Sequence, residues 1–133
     1  MWHRLAVVSD KRNQLVDITA RVQEVVTRSG IVTGLCQLFA PHTTAGLLIN
    51  EACDPHVARD ILTTLERLVP NRGDYRHAEG NSDAHLKSVL TGSHLTVPVE
   101  EGRLSLGAWQ GLFLADFDGP RQRQVMVAVT ALS

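Results

Sequence analysis

The sequence has only two cysteines, Cys36 and Cys53, in 133 residues, too few for a disulfide framework. Rings are scarce too: one tyrosine, two tryptophans and three phenylalanines. A stacking surface for single-stranded nucleic acid needs more. Neither charge sign is in real excess, since 13 basic residues stand against 14 acidic ones. Without a basic field, bulk attraction to nucleic acid or to an anionic membrane is not expected. No apolar run approaches the roughly 20 residues of a membrane span. No signal-type leader precedes the first strand-like run. The G-x-x-x-x-G-K-[ST] loop, the G-x-S-x-G elbow and the C-x-x-C pair are all missing. These absences predict a soluble, cytoplasmic chain with reduced thiols and no nucleic-acid or membrane partner.

What is present is globular. Hydrophobic residues make up 44% and charged residues 20%, enough for one core in a single domain spanning 1–133. Residues 2–9 and 15–18 read as short strands. Thr19 is placed to cap a helix with Val22, Val25 and Val26 on one face, ending at Gly30. Three valines are poor helix formers, so that helix depends on packing. Residues 31–39 read as a strand buried on both faces, and Leu47–Ile49 as another, closed by Asn50 and Glu51.

Asp54 then caps a helix with Pro55 at its first position. Val57, Ala58, Ile61, Leu62, Leu65, Leu68 and Val69 trace its apolar face, and Glu66 falls on the other. Leu95, Val97 and Val99 alternate in a strand that Pro98 favours near an edge. A Glu101-Gly102 turn leads to Leu104-Ser105-Leu106, then a strand over 110–117. Asp118-Gly119-Pro120-Arg121 is turn chemistry, and Val125, Val127 and Val129 close the chain in a strand. The order predicts an α+β fold: a largely antiparallel or mixed sheet with helices layered on one side.

The chemistry concentrates in residues 77–87, His-Ala-Glu-Gly-Asn-Ser-Asp-Ala-His-Leu-Lys. Asp83 reads as an N-cap of a helix whose buried face is Leu86, Val89 and Leu90. His85 falls in its first turn, where free N–H groups and the dipole suit an anion. One such polar residue is ordinarily structural. Two imidazoles, two carboxylates, an amide and an ammonium exceed what a cap and a turn require.

His77 and His85, with His42 as a third imidazole, form a candidate set for a divalent metal, zinc or magnesium. Glu51, Glu79 and Asp83 are candidate carboxylate partners. Lys87, Arg121 and Arg123 form a second set suited to phosphate oxygens. Trp109 and Gln110 enter the strand toward the Asp118 turn, and a ring beside cations suits a planar heterocycle. The alternatives are a core tryptophan, solvated arginines and hydrogen-bonded structural histidines.

Three ordered motifs then coincide. His42-Thr43-Thr44-Ala45 with Asn50-Glu51-Ala52-Cys53-Asp54-Pro55 is the first, and His77 to Lys87 is the second. Gly107-Ala108-Trp109-Gln110-Gly111 with Asp118-Gly119-Pro120-Arg121 is the third. Over nearly its whole length the chain resembles the YjbQ-like family, also called the secondary thiamine-phosphate synthase family. The resemblance implies a compact α+β subunit, a homotrimer, and a polar pocket between subunits. It implies weak transferase activity on a small phosphorylated substrate: a hydroxymethylpyrimidine diphosphate is joined to a thiazole phosphate, releasing diphosphate.

In that reading His85, His77, Glu51, Asp83 and Lys87 are catalytic. Lys87, Arg121, Arg123, Asn50, Asn81, Trp109 and Gln110 bind substrate and phosphate, and His42, His77 and His85 hold the metal. The other reading is a non-catalytic metal- or anion-binding trimer.

Overall fold

The structure is a computed structural model that describes residues 1–77 and 79–133. Strands β1 (His3–Val8), β2 (Gln14–Asp17), β3 (Gly34–Phe39), β4 (Ala45–Glu51), β5 (His94–Glu100), β6 (Arg103–Leu104), β7 (Gln110–Asp116) and β8 (Gln122–Ala131) alternate with three helices. These are α1 (Thr19–Ser29), α2 (Pro55–Leu68) and α3 (Ser82–Thr91). The strands make two sheets, β1-β8-β3-β5-β6 and β2-β7-β4, with every pair antiparallel. The expected α+β class is what forms, but with two sheets in place of one.

Alternation explains the packing. Val7, Cys36, Leu38, Val97, Val99, Val125 and Val127 of the larger sheet meet Ala45, Leu47, Leu112 and Leu114 of the smaller one. Helix α1 adds Val22, Val25 and Val26 to that core, and this burial supplies what its valines lack in propensity. A second cluster lies on the other side of the smaller sheet. There Ala115, Phe117, Leu15 and Leu48 meet Leu62 and Leu65 of α2 and Ala84 of α3.

Several local expectations are corrected. β3 alternates buried and exposed positions instead of being covered on both faces. Thr19 is the first residue of α1; its hydroxyl donates to Asp17 Oδ1 at 2.6 Å and accepts from Leu112 N at 2.9 Å. The hairpin after β5 closes at Arg103–Leu104, so β5 is shielded on its outer side by only two residues. The α2 cap is as expected, with Asp54 Oδ1 accepting from His56 N at 2.9 Å.

The largest departure is α3. Ser82, Asp83, Ala84, Lys87 and Ser88 are its buried residues, while Leu86, Val89 and Leu90 are 45%, 78% and 62% exposed. The helix sits backbone-close on β4. A Cβ at Gly46 would lie 2.1 Å from Thr91 Oγ1 and 2.6 Å from Gly92 O, so only glycine permits the approach. Ser88 Oγ donates to Ala45 O at 2.8 Å, and Leu47 N to Gly92 O at 3.0 Å. At that spacing the facing side chains must be small, or polar with partners, and these are.

Candidate functional site

Two buried ionic clusters flank the start of α3. In the first, Asp83 is fully buried and accepts from both terminal guanidinium nitrogens, Nη1 and Nη2, of Arg12 at 3.0 Å. It also accepts from Asn71 Nδ2 at 3.1 Å and from Lys87 Nζ at 3.0 Å. Lys87 is 1% exposed and is also paired with Glu66 of α2. Burial alone would raise the Asp83 pKa; the bonds from Arg12, Asn71 and Lys87 outweigh it and hold the carboxyl well below the usual range.

The second cluster centres on Asp116, also fully buried. Arg123 reaches it through Nε at 3.0 Å and Nη2 at 2.8 Å, and Ser9 Oγ donates at 2.7 Å. Arg123 Nη2 also donates to Thr44 Oγ1 at 2.8 Å. Burial again pushes the Asp116 pKa up, and the Arg123 and Ser9 bonds win, so it stays depressed.

These clusters change the expected roles. Asp83 does not cap α3: the cap is Asn81, which makes no side-chain capping bond. Lys87 and Arg123 were expected at phosphate; both are buried and committed to carboxylates. Arg121 is half-exposed, but its Nε donates to Asp118 O and its Nη2 to Asp118 Oδ2. Asn81 Nδ2 donates to Asp118 Oδ2 at 2.9 Å, which ties α3 to the same turn.

His42 stands at the end of β8, where its Nε2 accepts from Gln124 N at 2.9 Å. Its pKa is lowered, first by burial and then by the charge of Arg123. Among the described residues no group of three His, Cys, Asp or Glu side chains is placed to hold a metal ion, so His42, His77 and His85 are not assembled as a metal triad within one chain.

Asn50, Glu51, Trp109 and Gln110 lie elsewhere. Glu51 pairs with Gln110 at one end of the β4–β7 ladder, and Ala45 with Asp116 at the other. Six residues of strand separate the ends by roughly 20 Å. Glu51 Oε2 accepts from Cys53 N and Gln110 Oε1 from Gly107 N, both local turn bonds, and Trp109 is exposed.

What does converge is His77 and His85. Their ring centroids are 5.4 Å apart and nearly perpendicular. Glu79 Oε1 is 3.8 Å from His77 Nε2. Both rings face a cavity of about 530 Å³, walled by residues 74–77 on one side and by Ser82, His85 and Leu86 of α3 on the other. That size suits a small organic ligand. The arrangement offers two proton-transferring groups near the positive end of a helix, in a cavity that Asp74, Arg76 and Ser82 also line.

An α+β chain of two antiparallel sheets, with a histidine pair over a helix start, is thus defined. A family model described as "UPF0047 protein YjbQ-like" matches residues 3–132. The chain belongs to the YjbQ-like (UPF0047) family. It is 43% identical to UPF0047 protein MJ1081 of Methanocaldococcus jannaschii over 97% of this chain and 94% of that one. It is also 43% identical to UPF0047 protein YugU of Bacillus subtilis, covering 92% and 94%. The crystal structure of a yjbq/upf0047 family protein of Clostridium acetobutylicum superposes with a TM-score of 0.95 at 45% identity, covering 96% and 99%. Conserved hypothetical protein TT1486 of Thermus thermophilus superposes at 0.89 with 50% identity, again covering 96% and 99%. No helix among the described residues is long and apolar enough to cross a membrane.

Sequence reasoning missed Arg12, Asn71 and Ser9, which had no motif around them. Asp116 carried a readable signal: a carboxylate inside the apolar run Leu112–Phe117 requires a buried cation. Glu66 was assigned to solvent by the α2 pattern, and it is Lys87 that draws it in.

Proposed function

We propose that this chain is an enzyme acting on a small phosphorylated molecule at the His77–His85 cavity, with transferase activity of the thiamine-phosphate synthase type. The observation that carries the reading is the edge-to-face histidine pair on the cavity wall. In such a transfer the bond between the pyrimidine methylene carbon and its diphosphate oxygen breaks. The thiazole nitrogen supplies the new bond to that carbon, and diphosphate leaves. An imidazolium proton on His85 or His77 would neutralise the departing oxygen, and Glu79 would orient His77.

The test is diphosphate release with His85→Ala against the unaltered protein. Removing a general acid should lower turnover by about 10²-fold or more. Thermal unfolding should stay within about 2 °C, since His85 is only half-buried. An equal loss of folding and activity would make His85 structural. No turnover on any phosphorylated substrate would leave an anion-binding protein.

The same reading includes self-association as a homotrimer. The uncovered face of α3, Leu86, Val89 and Leu90, is contiguous with the cavity through Leu86, so a second copy there would narrow the opening. Light scattering should then give three times the 14.6 kDa chain mass. A Val89→Glu variant should shift the mass toward one chain, and a native mass of one chain would remove the trimer.

A further inference from the structure

We infer that the cavity binds a phosphomonoester substrate by its phosphate through Ser82, Arg76 and the first turn of α3, not through Lys87, Arg121 or Arg123. The inference rests on the proposed role of the cavity and identifies its anion subsite.

Four observations meet there. Ser82 is 9% exposed, and its Oγ has no hydrogen-bond partner among the described residues. A buried hydroxyl without a partner is uncommon and calls for an occupant. Ser82 forms part of the cavity wall and is also the first residue of α3. The first helical bonds run from Ala84 N and His85 N to Asn81 O, so the N–H groups ahead of them lie outside the intrahelical ladder.

Arg76 supplies the charge. It is exposed on the opposite wall and, among the described residues, makes no ion pair within 4.0 Å. Lys87, Arg121 and Arg123 all have carboxylate partners already. Breaking the Lys87 or Arg123 pair to bind phosphate would leave a buried Asp83 or Asp116 without compensation, and Arg121 is held at the turn by Asp118.

The wall also limits the rest of the ligand. Tyr75 and Leu86 give it an apolar side, and the volume of about 530 Å³ exceeds what a bare phosphate fills. Asp74, also on the wall, disfavours anion at its own end and can accept from a hydroxyl or amino group. A phosphate ester of a small, partly apolar organic group fits these features together.

The experiment is calorimetric titration of the full chain with inorganic phosphate and, separately, with phenyl phosphate. Both should bind, with phenyl phosphate the tighter. Ser82→Ala and Arg76→Gln should each weaken both by about tenfold, and Arg59→Gln on α2 should change neither. Ser82→Ala should not lower the unfolding temperature, because the hydroxyl has no partner to lose. Absence of binding, or binding untouched by both variants, would overturn the subsite. Phenyl phosphate no tighter than inorganic phosphate would overturn the ester class. Binding that depends on Ser82, with no turnover on any substrate, would keep the subsite and remove the enzyme. Turnover with KM unchanged in both variants would do the reverse.

Discussion

Asp83→Asn is expected to destabilise the fold by about 3 kcal/mol, although it keeps the size of the side chain. The carboxylate faces three donors: Arg12, Asn71 and Lys87. Losing its charge leaves two cations short of a counter-charge. The loss falls at the lower end of the usual range for a broken buried pair because Arg12 is 35% exposed and can rehydrate, while Lys87 keeps Glu66. For a chain of this size the unfolding temperature should drop by roughly 10 °C.

The pH dependence has a definite sign. The folded Asp83 carboxyl titrates well below its unfolded value of about 3.9. Its contribution is therefore complete above that value and is lost as pH falls through it toward the folded pKa. Between about pH 4 and pH 2 the native protein should lose stability more steeply than Asp83→Asn. Urea unfolding at three pH values reads this directly, and parallel slopes would show that Asp83 is not the coupled group.

Arg123→Met should cost more, about 4–5 kcal/mol at pH 7. Here neither partner reaches water, with Arg123 4% exposed and Asp116 fully buried. The variant leaves Asp116 with only Ser9 Oγ and the Asp118 N–H. Without Arg123, burial dominates and the folded Asp116 pKa rises above its unfolded value. The variant should then regain stability as the pH is lowered from 7 through that raised pKa, opposite to the trend for Asp83 in the native chain. The double variant Arg123→Met/Asp116→Leu should recover much of the loss, because apolar groups can replace a buried pair. A single variant as stable as the native chain would mean that the pair is not formed in solution.

The two arginines show where sequence reasoning stops. Chemistry suited both Arg121 and Arg123 to phosphate. Yet Arg123 alternates inward from β8, so the register decided its partner, and register is a tertiary fact. Leu86, Val89 and Leu90 pointed to an ordinary amphipathic α3. The tight seat on β4, enforced at Gly46, instead selected Ala84, Lys87 and Ser88 for the inside. In contrast, Asp54-Pro55 and the valine alternation in β8 were legible, because a cap and a period of two are set locally. At the site, residues near in sequence were legible as a group: His77 and His85 do meet. The groups from remote strands, Asn50, Glu51, Trp109 and Gln110, sit at the other end of β4 and β7 in the single chain.

Residues 77–87 thus divide into a cavity side, with His77, Ser82 and His85, and an anchoring side, with Asp83 and Lys87. Unfolding temperature and turnover measured together on His85→Ala and Asp83→Asn test this division most directly. The expected result is a His85→Ala protein that melts normally without turning over, beside an Asp83→Asn protein that melts roughly 10 °C lower. A His85→Ala protein that melts as low as Asp83→Asn, or an Asp83→Asn protein with unaltered melting, would contradict it.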